Sequence, residues 1–290
     1  MKRKKERIMY ALVFTTVLGY LMACSGISEG NNTVAGIDST HNKQPVKPVT
    51  DPFAWQPIRY DSTKQYIYLS FDDGPQHGTV TCFDLCKKDS IKASFFMVGH
   101  HSEMKSDGKK IVADIRNAYP QILLANHSYS HANNRYIYFY QHPEMAGADF
   151  FKAQEVLQVP YKIARLPGNS AWVRTGEVKA THLVSPVSHL LDSAGYNVIG
   201  WDVEWSFGKK SARPVQTPQK LANMVDSAFA KNQTHIPNHL VILTHDRMFQ
   251  HPEDVDSLAR FIQILKQNPR YVFETVDHYP GLKKPVSALK

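Results

Sequence analysis

Beyond residue 59, short runs of β-branched and aromatic residues alternate with longer segments in which apolar residues recur at helical spacing. Seven runs predict strands, at 66–71, 93–98, 122–125, 161–164, 197–201, 240–244 and 271–274. Six segments predict helices, near 80–88, 109–117, 144–156, 183–194, 218–231 and 253–267. This alternation predicts parallel strands joined by crossover helices, and therefore an α/β barrel close to the eight-stranded kind.

The start of the chain has a different pattern, with a basic stretch followed by an apolar run over 8–22 that ends just before Cys24. The run is shorter than the about 20 residues that a spanning helix needs, so residues 1–23 are expected to be an export signal. The residues before Cys24 resemble the bacterial lipobox, which predicts lipid attachment at Cys24. A plain secretory signal with a coincidental cysteine is the alternative.

Residues 24–58 are rich in Gly, Asn, Thr, Pro and Lys without an apolar period, which predicts a flexible tether. The expected organisation is therefore a signal peptide at 1–23, a tether at 24–58 and one folded domain at 59–290. A lipid at Cys24 would hold this domain at a membrane of the bacterial cell envelope, facing the periplasm or the exterior.

Composition and charge narrow the class of partner. The 290 residues are 42% hydrophobic and 21% charged, which is typical of a globular protein. The formal net charge of +8 falls to +4 without the first 23 residues, and no dense basic stripe remains. We therefore expect a monomer that does not bind nucleic acid. Cys82 and Cys86 share one helix face and are expected to be core residues rather than metal ligands.

Polar clusters follow five of the predicted strands, where the chemistry of such barrels is located. They begin at Asp72-Asp73, at His127, at Arg165, at Asp202 and at His245. Neighbouring side chains on a strand point to opposite faces, so Asp72 and Asp73 cannot have the same role. A turn that only caps the next helix is the alternative for this pair.

His127 and His131 are four residues apart, which on a helical turn would aim both imidazoles at one metal ion. Two imidazoles and one carboxylate form the ligand set of a catalytic zinc site that keeps one position open. His77, His100 and His101 lie in predicted loops and are expected to be solvated.

Three motifs carry a resemblance to a known family: Phe71-Asp72-Asp73-Gly74-Pro75, His127-Ser128-Tyr129-Ser130-His131 and Leu243-Thr244-His245. With 93–96 and Gly99, they resemble the NodB-type polysaccharide deacetylases, carbohydrate esterase family 4, over about residues 66–274. The resemblance implies a distorted (β/α)7 barrel.

The resemblance also implies roles for individual residues. Asp73, His127 and His131 would hold one divalent metal ion, with Zn²⁺ as the first expectation and Co²⁺, Ni²⁺ or Mn²⁺ as alternatives. Asp72 would be the general base acting on a metal-activated water, and Arg165 would keep it ionised. His245 would be the general acid that protonates the leaving group.

Two motifs depart from the family pattern. Arg165-Leu166-Pro167-Gly168-Asn169 stands where the family has Arg-Pro-Pro-Tyr-Gly, so the backbone N–H of Gly168 would face the oxyanion. Asp-Val-Glu-Trp at 202–205 stands for the family's Asp-x-x-Asp-Trp. Either Asp202 or Glu204 could orient His245, and Glu204 is favoured because it directly precedes the tryptophan.

Aromatic residues near these motifs have two interpretations each. Trp201 and Trp205 share a strand face and could line the pocket or only pack. The aromatic group at 136–140 could stack on sugar rings or pack within a loop.

The sequence therefore predicts a metal-dependent hydrolase that removes acetyl groups from an acetylated polysaccharide, with N-acetyl favoured over O-acetyl groups. One alternative is a catalytically silent glycan-binding lipoprotein. Others are an O-acetyl esterase of the xylan type and a hydrolase of small amides.

Overall fold

The computed structural model describes residues 51–289. The predicted signal peptide, the lipidation site at Cys24 and most of the predicted tether lie outside the described residues and stay predictions. Within 51–289, every helix is too short or too polar to cross a bilayer.

Within the described residues, ten strands form one mixed sheet, and each of the seven predicted runs overlaps one of them. The strands are β1 (Gln65–Asp72), β2 (Ala93–Met97), β3 (Ile122–Asn126), β4 (Ile163–Ala164), β5 (Ala171–Arg174), β6 (Glu177–Ala180), β7 (Asn197–Val198), β8 (Val203–Glu204), β9 (His239–His245) and β10 (Tyr271–Phe273). Their order is β6-β5-β7-β4-β3-β2-β1-β9-β8, with β10 beside the start of β1. The sheet curls into a distorted (β/α) barrel, which confirms the predicted fold class.

In the part of the chain that the structure describes, eight α-helices connect the strands. They are α1 (Thr79–Lys88), α2 (Gly99–Met104), α3 (Gly108–Asn117), α4 (Tyr136–Gln141), α5 (Pro143–Val156), α6 (Ser185–Ser193), α7 (Pro218–Ala230) and α8 (Pro252–Lys266). All six predicted helices are present, and α2 and α4 are additional. The hydroxyl of Thr217 accepts a hydrogen bond from the Lys220 N–H at 3.2 Å, which explains the start of α7.

The strands that the sequence did not predict are β5, β6 and β8. Strands β5 and β6 form an antiparallel hairpin at one end of the sheet, and β8 pairs with β9. Each has four residues or fewer, which is too short for an alternation of apolar and polar residues to stand out.

Strand β1 shows how the barrel divides its core. Ile67, Leu69 and Phe71 belong to the cluster that packs against α1, α7 and α8, whereas Tyr66 and Tyr68 belong to a separate inner cluster. Because strand side chains alternate, this inner face also receives Ser70 and Asp72. The outer cluster includes Cys82 and Cys86, which are fully buried free cysteines, as expected of core residues.

Parallel pairing brings the functional strand ends together. Asp72 lies beside Phe96 of β2 on one side and beside His245 of β9 on the other. Strand β3 follows β2 in the same direction and ends at Asn126, immediately before His127. The first, third and sixth predicted strands therefore deliver their polar clusters to one edge of the barrel.

Residues 51–58, at the end of the predicted tether, contact the domain. Phe53 is buried, and its carbonyl oxygen accepts a hydrogen bond from the Tyr161 hydroxyl at 2.7 Å. The ring of Trp55 stacks on His278, with 5.8 Å between the centroids. Side chains of this segment thus complete the inner core cluster.

His278 joins this segment to the rest of the domain through its two ring nitrogens. Nδ1 lies 3.2 Å from a Glu274 carboxylate oxygen, and Nε2 lies 2.9 Å from the carbonyl oxygen of Gln56. Both partners are acceptors, so both nitrogens can donate only in the imidazolium form. Burial alone would lower the pKa of His278, but the contact with Glu274 and the charge of Asp277 outweigh it and raise the pKa.

We expect His278→Gln to flatten the alkaline side of the stability profile. A histidine whose pKa rises on folding stabilises the folded state. Its contribution to the unfolding free energy is complete below the unfolded pKa of about 6.5 and is lost as the pH rises through the folded pKa. As the pH rises from about 6 through the folded pKa of His278, the native chain should lose more unfolding free energy than the variant, by about 1.4 kcal/mol per unit of pKa shift. Urea unfolding across this range measures it. Exposed His189 provides the control His189→Gln, and parallel profiles for the native chain and His278→Gln would contradict the assignment.

Candidate active site

A cavity of about 610 Å³ opens at the carboxyl ends of β1 and β9. Eight of the residues singled out in the sequence line it, namely Asp72, Asp73, His127, His131, Gly168, Trp201, Glu204 and His245. Arg165 lies directly behind the cavity wall and is fully buried. Asp202 and Trp205 do not line this cavity.

Asp73, His127 and His131 form a group in which one ligand atom from each lies within 4.8 Å of the others. Asp73 Oδ1 is 3.0 Å from His131 Nε2 and 3.5 Å from His127 Nε2. This oxygen is buried, yet no group among residues 51–289 donates a well-aligned hydrogen bond to it. An oxygen that faces two imidazole nitrogens without such a bond is suited to share a cation with them.

His127 is held in the orientation that a metal ligand requires. Its Nδ1 lies 2.9 Å from the main-chain carbonyl oxygen of Arg165, so Nδ1 carries the proton and donates. The lone pair of Nε2 is then directed toward Asp73. A carbonyl partner behind a ligating imidazole is the usual way in which proteins orient such a ligand.

The two histidines do not lie on a helical turn, and that expectation is wrong. Ser128 has φ 67°, and the residues from His131 to Asn134 all have φ between 47° and 58°. Asn126 Oδ1 accepts a hydrogen bond from the Ser128 N–H at 2.8 Å, and Ser128 Oγ accepts one from the His131 N–H at 3.0 Å. Side-chain acceptors thus stabilise a left-handed loop that brings the two rings to a centroid separation of 5.1 Å.

The electrostatics of the group reflect its burial. Burial alone would raise the pKa of Asp73, but the contacts with His127 and His131 outweigh it and hold that pKa well below its usual range. Burial alone would lower the pKa of His127, and the carboxylates of Asp72 and Asp73 raise it instead. The carboxylates and the imidazoles of this group therefore shift one another's pKa in opposite directions.

Asp72 has a different environment from its neighbour. Its Oδ1 accepts a hydrogen bond from Arg165 Nη1 at 2.8 Å, and its Oδ2 lies 3.6 Å from His127 Nε2. Arg165 Nη1 also donates to Ser70 Oγ at 2.7 Å. One oxygen of Asp72 is thus held by the arginine while the other faces the cavity. The φ of 76° at Asp73 turns the second carboxylate toward the histidines.

His245 extends from the end of β9 into the cavity. Burial lowers the pKa of His245, opposed by the charges of Asp73 and Asp72. Its Nδ1 is buried and has no hydrogen-bond partner among residues 51–289. Glu204 lines the same cavity and adds a negative charge near the ring without a hydrogen bond to it.

Of the two acidic residues that could orient His245, Asp202, the less favoured one, binds backbone groups instead. Its carboxylate accepts hydrogen bonds from the backbone N–H groups of His235 at 2.6 Å and of Val241 at 2.7 Å. Burial raises the pKa of Asp202 to about 6. Asp202 therefore fixes the loop before β9 to the sheet, and Glu204 is the acidic residue of this pair that reaches the site.

The two tryptophans lie in different environments. Trp201 lines the cavity, whereas Trp205 is fully buried in the outer core, where it packs edge-on against Phe249 and Phe261. We therefore correct the expectation that Trp205 contributes to the substrate wall. Strand β8 is only two residues long, so side-chain alternation between 201 and 205 is not maintained.

Tyr136 covers the position where the third motif departs from the family pattern. Gly168 has φ 65°, and a Cβ at this residue would lie 3.1 Å from the Tyr136 ring. That ring is half-buried and stands edge-on to His131, with 5.7 Å between the centroids. An aromatic side chain from α4 thus occupies the wall beside Gly168.

The sequence analysis missed the role of His101, which it assigned to a solvated loop. His101 lies in α2, lines the cavity, and its Nδ1 is 2.7 Å from the main-chain carbonyl oxygen of Asp73. It supports the backbone of Asp73, one of the three candidate metal ligands. A signal was available, because His101 follows the second strand just as the other site residues follow theirs.

Comparisons with known proteins relate the chain to one family. Residues 59–171 match the family model for polysaccharide deacetylase. The chain is 25% identical to chitin disaccharide deacetylase of Vibrio alginolyticus, over 75% of this chain and 72% of the relative. It is 22% identical to peptidoglycan-N-acetylglucosamine deacetylase of Bacillus cereus, over 97% of this chain and 95% of the relative.

A solved structure shows the same fold. The catalytic domain of peptidoglycan N-acetylglucosamine deacetylase from Eubacterium rectale aligns with a TM-score of 0.56 and 22% identity, covering 80% of this chain and 97% of that one. The family match at 59–171 includes Asp72, Asp73, His127, His131 and Arg165. Residues 59–171 therefore form a polysaccharide deacetylase domain, and the relatives together with the fold support a NodB-type hydrolase of carbohydrate esterase family 4.

Proposed function

We propose that this hydrolase removes N-acetyl groups from a polysaccharide in a metal-dependent reaction, with Asp72 as general base and His245 as general acid. The observation that carries the proposal is the separation of two adjacent carboxylates. Asp73 faces two imidazoles, while Asp72 is bound to a buried arginine. Metal binding and proton transfer thus have different carboxylates within one cavity.

The residues present fit a divalent metal ion. Asp73 Oδ1 is buried without a well-aligned donor, and His127 is oriented by a carbonyl partner, so Asp73, His127 and His131 would hold the ion. One carboxylate and two imidazoles favour Zn²⁺, and this donor set also accepts Co²⁺, Ni²⁺ or Mn²⁺. Such an ion supplies Lewis-acid polarisation of water and of the acetyl carbonyl.

Asp72 would take a proton from the attacking water. Arg165 holds its Oδ1 while its Oδ2 lies 3.6 Å from His127 Nε2, so the carboxylate keeps one orientation at the cavity wall. Replacing the carboxylate by an amide would keep an acceptor for Arg165 but remove the base.

His245 would deliver a proton to the departing sugar amine. It is the register partner of Asp72 across β1 and β9, so base and acid lie on adjacent strand ends at the same edge. Glu204 lines the same cavity and would favour the charged form of the ring. The backbone N–H of Gly168 forms no hydrogen bond within residues 51–289, and we propose that it donates to the oxyanion.

N-acetylated sugars are the proposed substrates because of the relatives. The two relatives described above are named for a chitin disaccharide and for peptidoglycan N-acetylglucosamine. An O-acetyl esterase and a silent glycan-binding protein are the remaining candidates. We further propose that the enzyme acts in the cell envelope from a lipid anchor at Cys24, which rests on the sequence pattern before that cysteine.

Asp72→Asn should abolish acetate release while metal binding persists. General-base catalysis contributes about 10²- to 10⁴-fold, so turnover of an N-acetylglucosamine oligomer should fall by at least about 100-fold. Asp84→Asn, at an exposed position of α1, is the matched control. Acetate assays and elemental analysis of the purified proteins measure both quantities. Near-normal turnover in Asp72→Asn would contradict the assignment of the base.

His127→Ala and His131→Ala should each reduce the metal content of the purified protein and, with it, acetate release. His182→Ala, at an exposed position, should retain both. Removing metal with a chelator and restoring it should reproduce the loss and recover the activity of the native chain. Undiminished turnover by metal-free protein would reject the metal-dependent mechanism. A native chain that binds glycan and metal but releases no acetate would support the silent binding protein.

A further inference from the structure

A second cavity, of about 770 Å³, lies between the loop after His131, α4 and α5. We call it the α4–α5 cavity. Ser130 and Asn133 line both this cavity and the candidate active site. The two spaces are therefore adjacent and share a wall made by the left-handed loop. Its volume lies in the range of ligand-binding clefts.

The α4–α5 cavity is lined by two cations that lack acidic partners. Arg135 and Lys152 are exposed, and neither has a carboxylate oxygen within 4.0 Å among residues 51–289. The acidic residue of the cavity is Asp149, whose Oδ2 already accepts the backbone N–H groups of Tyr129 at 2.9 Å and Ser130 at 3.0 Å. The charge that remains available to a ligand is positive.

Lys152 has a defined position. Its Nζ lies 3.4 Å from the centroid of the Tyr129 ring, so a cation–π contact limits the rotation of the side chain. The ammonium keeps N–H donors for a ligand. The guanidinium of Arg135 presents a planar fork that matches a carboxylate.

The same cavity contains an apolar surface. Tyr138 is 54% exposed and Met145 is 43% exposed, and both line it. An exposed aromatic ring beside cations is suited to a sugar, whose apolar face stacks on the ring while its polar substituents reach the charges. Large exposed apolar residues beside an active site also indicate a binding surface.

We propose that the α4–α5 cavity binds a carboxylate-bearing sugar unit that flanks the acetylated unit in the same polysaccharide. Tyr138 would stack on the ring, and Arg135 and Lys152 would bind the carboxylate. This proposal rests on the proposed function, because the flanking unit is positioned relative to the site of deacetylation. It predicts a preference for acidic over neutral acetylated glycans.

The test compares two acetylated oligosaccharides of equal length, one neutral and one with carboxylate-bearing units beside the acetylated sugar. The native chain should have a higher kcat/KM for the acidic substrate, by about tenfold, as charge-assisted hydrogen bonds to an exposed site allow. The preference should decrease at high salt. Equal values for the two substrates would overturn the proposal.

Variants locate the preference. Arg135→Gln combined with Lys152→Gln should remove it, mainly through a higher KM for the acidic substrate, and leave the neutral substrate unchanged. Arg135→Lys combined with Lys152→Arg keeps both charges and should retain most of it. Two further variants are controls. Arg260→Gln removes an exposed cation from α8, and Ile137→Ala truncates an exposed residue of α4 that does not line the cavity. Both should have the substrate preference of the native chain. An acidic preference that survives the double Gln variant would overturn the assignment.

A binding measurement separates this inference from the proposed reaction. An acidic oligosaccharide without acetyl groups cannot be turned over, and calorimetry should show that the native chain binds it more tightly than the double Gln variant does. If the native chain released no acetate from any glycan but showed this difference, the proposed function would fail and the binding site would stand. If the native chain released acetate but bound this oligosaccharide no more tightly than the double Gln variant, the proposed function would stand and the proposed binding site would be overturned.

Discussion

The buried pair of Arg165 and Asp72 is the interaction on which the other parts of the site depend. Arg165 is fully buried, and its guanidinium donates to Asp72, to Ser70 and to the carbonyl oxygens of Ile199 and Gly200. Removing an ion pair from water is costly, and only a complete set of hydrogen bonds offsets that cost. The main-chain carbonyl of the same arginine orients His127. One residue thus joins β1, the segment after β7 and His127, so Asp72, the proposed base, and the proposed metal site are linked through Arg165.

This constraint explains why two adjacent aspartates can have two roles. Side chains alternate along β1, so Asp72 points to the inner face, where Arg165 donates a hydrogen bond to it. The left-handed φ of Asp73 turns the second carboxylate toward the histidines. The third partner, His245, arrives on β9 by parallel register. The barrel therefore supplies three positions at one edge, and the wall beside them is completed by Gly168 and Tyr136. Beyond this wall lies the α4–α5 cavity, whose cations are not used by the reaction.

Local signals explain which elements the sequence could predict. Runs of apolar residues gave all seven main strands, and the Thr217 cap with its following proline marked the start of α7, because these signals act over a few neighbouring residues. Short elements were not predicted. Strand β8, for example, has two residues, which is too few to show an alternation of apolar and polar positions. Errors at the site had one cause: the direction of a side chain depends on backbone torsions that partners far away in sequence stabilise. Asp202 accepts N–H groups from residues 235 and 241, and Trp205 packs on α8, so neither reaches the cavity.

By itself, the sequence determined the order of strands and helices, the family, and the residues that can serve as ligands, base and acid, because residue chemistry and short-range pattern are properties of neighbours in the chain. Only the tertiary structure decided which of these residues meet. It replaced a helical turn by a left-handed loop around His127 and His131, assigned Asp202 to a structural role and brought His101 to the site. The role of Asp202 and the contact of His101 depend on hydrogen bonds between segments distant in sequence, and the loop depends on backbone torsions that the residue pattern does not specify.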